Sequence, residues 1–125
     1  MIVGIGVDIL EIARVDKLSQ EFGERFARRV LTDDELLEFE RRGRNSTYLA
    51  SRFAAKEAVA KACATGIGAE LGFHSMKIEN DSSGKPILHF LKSADALVER
   101  LQIRNAMVSL SDEKHYVVAM VVLES

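Results

Sequence analysis

The sequence predicts an α+β fold, a mostly antiparallel sheet packed against helices, on three observations. Alternating strand patterns stand at both ends of the chain, an alanine-rich helical stretch fills the middle, and strands and helices mix without regular βαβ alternation. Residues 2–9 form the first strand, with Val3, Ile5, Val7 and Ile9 alternating with Ile2, Gly4, Gly6 and Asp8. One face of it is β-branched. The other carries two glycines, which suggest a close approach by backbone or ligand, and then a carboxylate.

Residues 14–30 read as a helix on Val15, Leu18, Phe22, Phe26 and Val30, with Gly23 as its weak point. Thr32-Asp33-Asp34-Glu35 has capping-box spacing and starts a second helix that ends at Gly43. Asn45 or Ser46 caps a third, running to about Ala64 and stopped by Thr65-Gly66-Ile67-Gly68. A strand over 72–79, a turn at Asp81-Ser82-Ser83-Gly84 and a strand over 86–91 form a hairpin. A short helix over 93–102 and a strand pair at 105–111 and 115–124 complete the chain.

At 125 residues, residues 1–125 fit one domain, which buries roughly two-thirds of its unfolded surface without help from metal or disulfide. A net charge of −2 asks for neither nucleic acid nor an anionic membrane. The longest apolar run, Tyr116 to Leu123, is far short of the roughly 20 residues of a membrane span. Cys63 is the only cysteine, and the N-terminus does not read as a signal peptide, so the expected address is the bacterial cytoplasm.

Two carboxylates are out of place. Glu57 falls on the predicted inward stripe of the third helix, among Ala50, Phe53, Ala54, Ala60, Lys61 and Ala64. A buried carboxylate is costly unless paired or coordinated. The plain explanation is an i,i+4 pair with Lys61, worth about 0.2–0.5 kcal/mol. Asp8 lies near the end of a β-branched strand, where it either caps the next segment or serves as a hard-metal ligand. Other signals are weaker. Gly66-Ile67-Gly68 is either a helix stop or a backbone anion nest. His74, His89 and His115 lack metal-ligand spacing, fall on predicted strands and read as structural. Arg25, Arg28 and Arg29 are interleaved with acids, which reads either as a solvated helix face or as a patch for an acidic partner.

In order, these pieces resemble a known family. Gly4-Ile5-Gly6-Val7-Asp8-Ile9-Leu10-Glu11-Ile12-Ala13-Arg14 resembles the N-terminal signature of the holo-[acyl-carrier-protein] synthases, bacterial 4'-phosphopantetheinyl transferases. Arg52-Phe53-Ala54-Ala55-Lys56-Glu57-Ala58-Val59-Ala60-Lys61-Ala62 resembles their second signature. The segment Arg25 to Thr32, Thr65-Gly66-Ile67-Gly68, Gly84-Lys85-Pro86 and the closing Ser109-Leu110-Ser111 strand pair follow in the expected order. Two departures stand out. Cys63-Ala64 replaces the aromatic residue and glycine common before Thr-Gly-Ile, and Asp112 stands where many members carry a histidine, so that residue's role in binding coenzyme A does not carry over.

The resemblance implies a homotrimer with its site between subunits. It implies transfer of the 4'-phosphopantetheine arm of coenzyme A to a serine of apo-acyl carrier protein in fatty acid biosynthesis, leaving adenosine 3',5'-bisphosphate. Asp8 and Glu57 would hold Mg²⁺ and, with Lys61, carry the catalysis; the base for the serine is Glu57 or Asp8. Arg52, Lys61, Thr65, Gly66, Ile67, Gly68, Lys85 and Pro86 would line the coenzyme A site. Arg14, Leu18, Phe22, Arg25, Phe26 and Arg28 would dock the acidic carrier. Two alternatives use the same residues: a magnesium-dependent phosphohydrolase, and a non-catalytic carrier-binding trimer.

Overall fold

The structure, a computed structural model, describes all residues from Met1 to Ser125. Strand β1 (Ile2–Glu11) opens the chain, followed by helices α1 (Ile12–Phe22), α2 (Glu24–Val30), α3 (Asp33–Arg41) and α4 (Ser46–Ala62). A hairpin of β2 (Met76–Asn80) and β3 (Pro86–Phe90), helix α5 (Asp95–Arg100), β4 (Asn105–Asp112) and β5 (Tyr116–Glu124) complete it. The α+β reading holds. One antiparallel sheet has the order β1-β5-β4, and β2-β3 forms a separate antiparallel pair.

Several elements differ from the sequence reading. The stretch read as one helix over 14–30 is two helices, α1 and α2, because Gly23 takes φ +59° and ends the first. Residues 73–75 form a single 3₁₀ turn, so β2 starts at Met76. The helix expected over 93–102 is a 3₁₀ turn at Lys92–Ala94 followed by α5. Only His89 lies on a strand; His74 sits in the 3₁₀ turn and His115 between β4 and β5.

The Thr32 capping box forms: the Thr32 side chain accepts from the Glu35 amide, and the Thr32 amide donates to Glu35 Oε1 at 2.9 Å. Asn45 caps α4 by accepting from the Tyr48 amide at 3.0 Å. At the other end of α4, the Ala64 amide donates to Lys61 O and the Thr65 amide to Ala60 O. This is a Schellman closure, with Ala64 at φ +59° in the place that favours glycine.

Helix α4 lies across the inner face of the sheet, against Val117, Ala119, Val121 and Leu123 of β5. Gly4 and Gly6 make this approach possible. A Cβ on Gly6 would stand 2.0 Å from Ala58 O, and one on Gly4 2.1 Å from Ala62 O. The strand therefore rests on the helix backbone. The opposite face of the sheet is apolar yet open, with Ile5, Val7, Ile9, Met107 and Met120 exposed. No helix is long and apolar enough to cross a membrane.

Candidate active site

Alternation on β1 aims every second residue at α4. Gly6 touches Ala58, so Asp8, two residues on, arrives beside the next helix residues. Helix α4 is buried nearly all round. Between Leu49 and Cys63 the residues left open to any degree are Phe53, Glu57 and Lys61, spaced i,i+4,i+8 along one line. The predicted inward stripe is thus corrected: Glu57 and Lys61 lie on the one face of α4 that is not covered. Hydrophobic spacing could not show this, because alanines and buried Arg52 and Lys56 occupy the other faces.

The plain Glu57–Lys61 pair does not form. Lys61 Nζ reaches across to β1 and donates to Val7 O and Asp8 Oδ1, both at 3.0 Å. The Asp8 side chain is 16% exposed and that of Lys61 55%. Burial raises the Glu57 pKa above the usual carboxylate range, and the neighbouring Asp8 charge raises it further. Lys61 and Arg14 oppose both effects. Asp8, Glu57, Lys61 and Arg14 thus share one electrostatic neighbourhood.

The donor set is two carboxylates, with no third histidine, cysteine, aspartate or glutamate joining them. Two hard oxygen donors in one electrostatic neighbourhood suit a small divalent cation such as Mg²⁺, which commonly takes one or two carboxylates and completes its shell with water and phosphate. They do not resemble the nitrogen and sulfur sets that hold zinc.

The residues predicted to bind coenzyme A are only partly gathered. Arg52 is 4% exposed and lies at the junction of two contiguous clefts of about 450 and 710 Å³ between α3, α4 and the β2–β3 hairpin. Its Nη2 donates to Asn80 Oδ1 at 2.6 Å and Ile78 O at 3.3 Å, and its plane lies over the Tyr48 ring at 4.3 Å. Its Nε has no partner. Pro86 and Asp112 line the larger cleft, whereas Lys85, Asp8, Glu57 and Lys61 do not. In the Thr65–Gly68 loop, the Gly66 amide is used by Ala60 O and the Gly68 amide by Leu71 O. Those two amides bond within the chain, as the helix-stop reading requires.

On the helical side, Leu18, Phe22, Arg25, Phe26 and Arg29 line a groove of about 360 Å³. Arg29, absent from the sequence-based set, lines it, whereas Arg28 points elsewhere, 3.6 Å from Glu24. Arg14 lines a separate recess beside Ile9 and Lys17. The groove connects to the carboxylates through a tilted aromatic contact: Phe26 packs on Phe53 at 5.9 Å between centroids, one turn before Glu57.

Sequence reasoning missed Glu35 and Lys56. Glu35 was accounted for by its capping box, and Lys56 had no signal of its own. Both are buried, and they meet at 2.6 Å.

Known proteins share this chain's sequence and fold over nearly its whole length. The sequence profile described as the 4'-phosphopantetheinyl transferase superfamily matches residues 4–121. A Vibrio cholerae protein named holo-[acyl-carrier-protein] synthase is 50% identical over 124 residues, covering 99% of this chain and 98% of that one. The crystal structure of the Neisseria meningitidis holo-[acyl-carrier-protein] synthase superposes with a TM-score of 0.95 at 44% identity, covering all of both chains. The Helicobacter pylori enzyme, solved in complex with coenzyme A, gives a TM-score of 0.86 at 32% identity over 96% of this chain and 99% of that one.

Proposed function

This chain belongs to the 4'-phosphopantetheinyl transferase superfamily, and we propose that it moves the 4'-phosphopantetheine arm of coenzyme A onto a serine of apo-acyl carrier protein, as a holo-[acyl-carrier-protein] synthase. The observation that carries this reading is the meeting of Asp8, Glu57 and Lys61, from two signatures about 50 residues apart, at the one uncovered face of α4. In the reaction the serine oxygen forms a bond to the phosphorus that bears the pantetheine arm. The pyrophosphate P–O bond breaks, and adenosine 3',5'-bisphosphate leaves.

Asp8 and Glu57 would hold Mg²⁺ through their carboxylate oxygens. Bound there, it would neutralise charge on the pyrophosphate oxygens and orient the phosphorus. Burial and the Asp8 charge raise the pKa of Glu57 above its ordinary value, which favours it as the base that accepts the serine proton. Lys61 is half exposed on a flexible stem, free to turn from Asp8 to a phosphate oxygen and meet the charge that develops on the leaving group. Arg52, with an unpartnered N–H, and Pro86 contribute the walls for the nucleotide, with Lys85 beside Pro86 at the hairpin turn. The Thr65–Gly68 loop follows the opposite end of α4 and would join them only across a subunit boundary.

The groove of Leu18, Phe22, Arg25, Phe26 and Arg29, with Arg14 in a separate recess and Arg28 outside the lining, has the apolar floor and basic border that an acidic carrier helix requires. The open apolar sheet face around Ile5, Val7, Ile9 and Met120 supports a homotrimer. So does the fact that the carboxylates do not line the Pro86 cleft of the same chain. Residues 1–125 act as one catalytic domain serving fatty acid biosynthesis in the cytoplasm.

The test is release of adenosine 3',5'-bisphosphate from coenzyme A and Mg²⁺, with and without apo-acyl carrier protein. Release that requires the carrier supports the transferase. Phosphate release without it points to a hydrolase, and carrier binding without turnover to a scaffold. Sedimentation equilibrium checks the trimer.

A further inference from the structure

Strand β2 has β3 on one side only, and its other edge meets no strand. An unpaired edge presents amides and carbonyls that must find partners when buried. At Ile78, which is buried, both groups are met by helix side chains. Its amide donates to Glu35 Oε2 at 2.9 Å, and its carbonyl accepts from Arg52 Nη2 at 3.3 Å. A carboxylate from α3 and a guanidinium from α4 thus stand where a neighbouring strand would run.

Glu35 is in turn fixed by Lys56. The Lys56 side chain is fully buried, and its ammonium has three acceptors for its three protons: Val30 O at 2.7 Å, Glu35 Oε1 at 2.6 Å and Phe73 O at 2.9 Å. These acceptors belong to the end of α2, to α3 and to the turn that leads into β2. The opposite oxygen of Glu35 holds β2 itself. One buried ion pair therefore joins α2, α3, α4 and the hairpin through directional bonds. Hydrophobic side chains of the same volume would fill the space but would not fix the distance between α3 and β2. That distance is the width of the cleft in which Arg52 and Asn80 lie.

We propose that Glu35 and Lys56 are positioning residues, which hold the β2–β3 hairpin against α3 and α4 and so set the cleft that receives the nucleotide of coenzyme A. This rests on the functional reading above, in which Arg52, shared by that cleft and the adjoining one lined by Pro86, helps to wall the nucleotide site.

The experiment compares the wild-type protein with the double variant Glu35→Leu/Lys56→Met, which removes both members of the pair and so leaves neither as a lone buried charge. Two readouts are taken: amide hydrogen exchange across Met76–Phe90, and steady-state kinetics with coenzyme A and apo-acyl carrier protein. The expected result is faster exchange in the hairpin and a KM for coenzyme A raised about tenfold, with kcat within a few-fold of wild type. A purely structural role would lower Tm without that split. Glu35→Asp keeps the charge but shortens the reach to the Ile78 amide; it gives the same two readouts in smaller measure, even where the double variant fails to fold. Wild-type exchange and wild-type KM in a folded variant overturn the proposal. A wild-type protein that modifies no carrier sinks the functional reading instead, while the exchange comparison still decides whether the pair holds the hairpin.

Discussion

Helix α4 carries two lysines five residues apart, each paired with a carboxylate from another element, and the two pairs differ in every other respect. Lys56 and Glu35 are 0% and 3% exposed, and every proton of the ammonium is satisfied. Lys61 is open to solvent at 55% and Asp8 is partly buried at 16%, and beside them stands Glu57, a carboxylate with a raised pKa. The first pair is closed and can only hold. The second is open, electrostatically unsettled and able to exchange partners, as a site that receives a cation and a phosphate must be. Glu57 and Lys56 are neighbours in sequence, and the helix turns one outward and the other inward.

The sharpest way to test this contrast is to remove each lysine in turn. Lys56→Met leaves Glu35 charged and buried, so it should cost about 3–5 kcal/mol of stability by urea unfolding. Lys61→Met should cost less than about 1 kcal/mol, as for exposed pairs, but should lower turnover by about 10²–10³-fold. Equal stability losses would erase the distinction.

The backbone contact that brings Asp8 to Glu57 is the next target. Gly6→Ala places a methyl group 2.0 Å from Ala58 O, and backbone must move to admit it. The expected cost is about 1–3 kcal/mol, with a loss of transfer larger than the lost stability explains. Chemical unfolding and kinetics on the same sample separate the two effects.

Closure of α4 gives a smaller, opposite effect. Ala64 holds φ +59°, which glycine adopts without strain. Ala64→Gly should therefore stabilise the protein by about 0.5–1 kcal/mol, raising Tm while leaving activity unchanged.

The smallest effect comes from Glu57 itself. Its folded pKa lies above its ordinary value of 4.5, so just above that pH the folded chain holds more protons than the unfolded one. Stability therefore falls as pH rises through that window. Glu57→Gln should remove the fall and stabilise the protein at neutral pH by about 0.2–0.5 kcal/mol, while ending transfer. Unfolding midpoints at pH 4 and pH 7, compared between the two proteins, read the sign.

Much of this was legible in the sequence. The glycine-bearing face of β1 predicted a close approach, and Ala58 O and Ala62 O make it. The Thr32 capping box formed as its spacing required, and both anomalous carboxylates arrive at the same place. The orientation of α4 was not legible. A helix rich in alanine and covered on almost every side has no apolar stripe to read, so Glu57 was assigned to the inward face when it lies on the open one. The Glu35–Lys56 pair escaped for a related reason. Its partners are 21 residues apart on different helices, and Glu35 already had a local role that explained it. Arg29 lines the groove where Arg28 was expected because the two adjacent helix positions point in different directions, and only Arg29 falls on the face of Phe22 and Phe26.

The central claim is that Asp8, Glu57 and Lys61 carry a metal-dependent transfer. The most direct measurement is the intact mass of apo-acyl carrier protein after incubation with this protein, coenzyme A and Mg²⁺, set beside reactions lacking the metal or using Glu57→Gln. The expected result is a gain of one phosphopantetheine mass that disappears in both controls while the variant remains folded. A gain that persists with Glu57→Gln, or no gain with several apo-carriers and a folded wild-type protein, would contradict it.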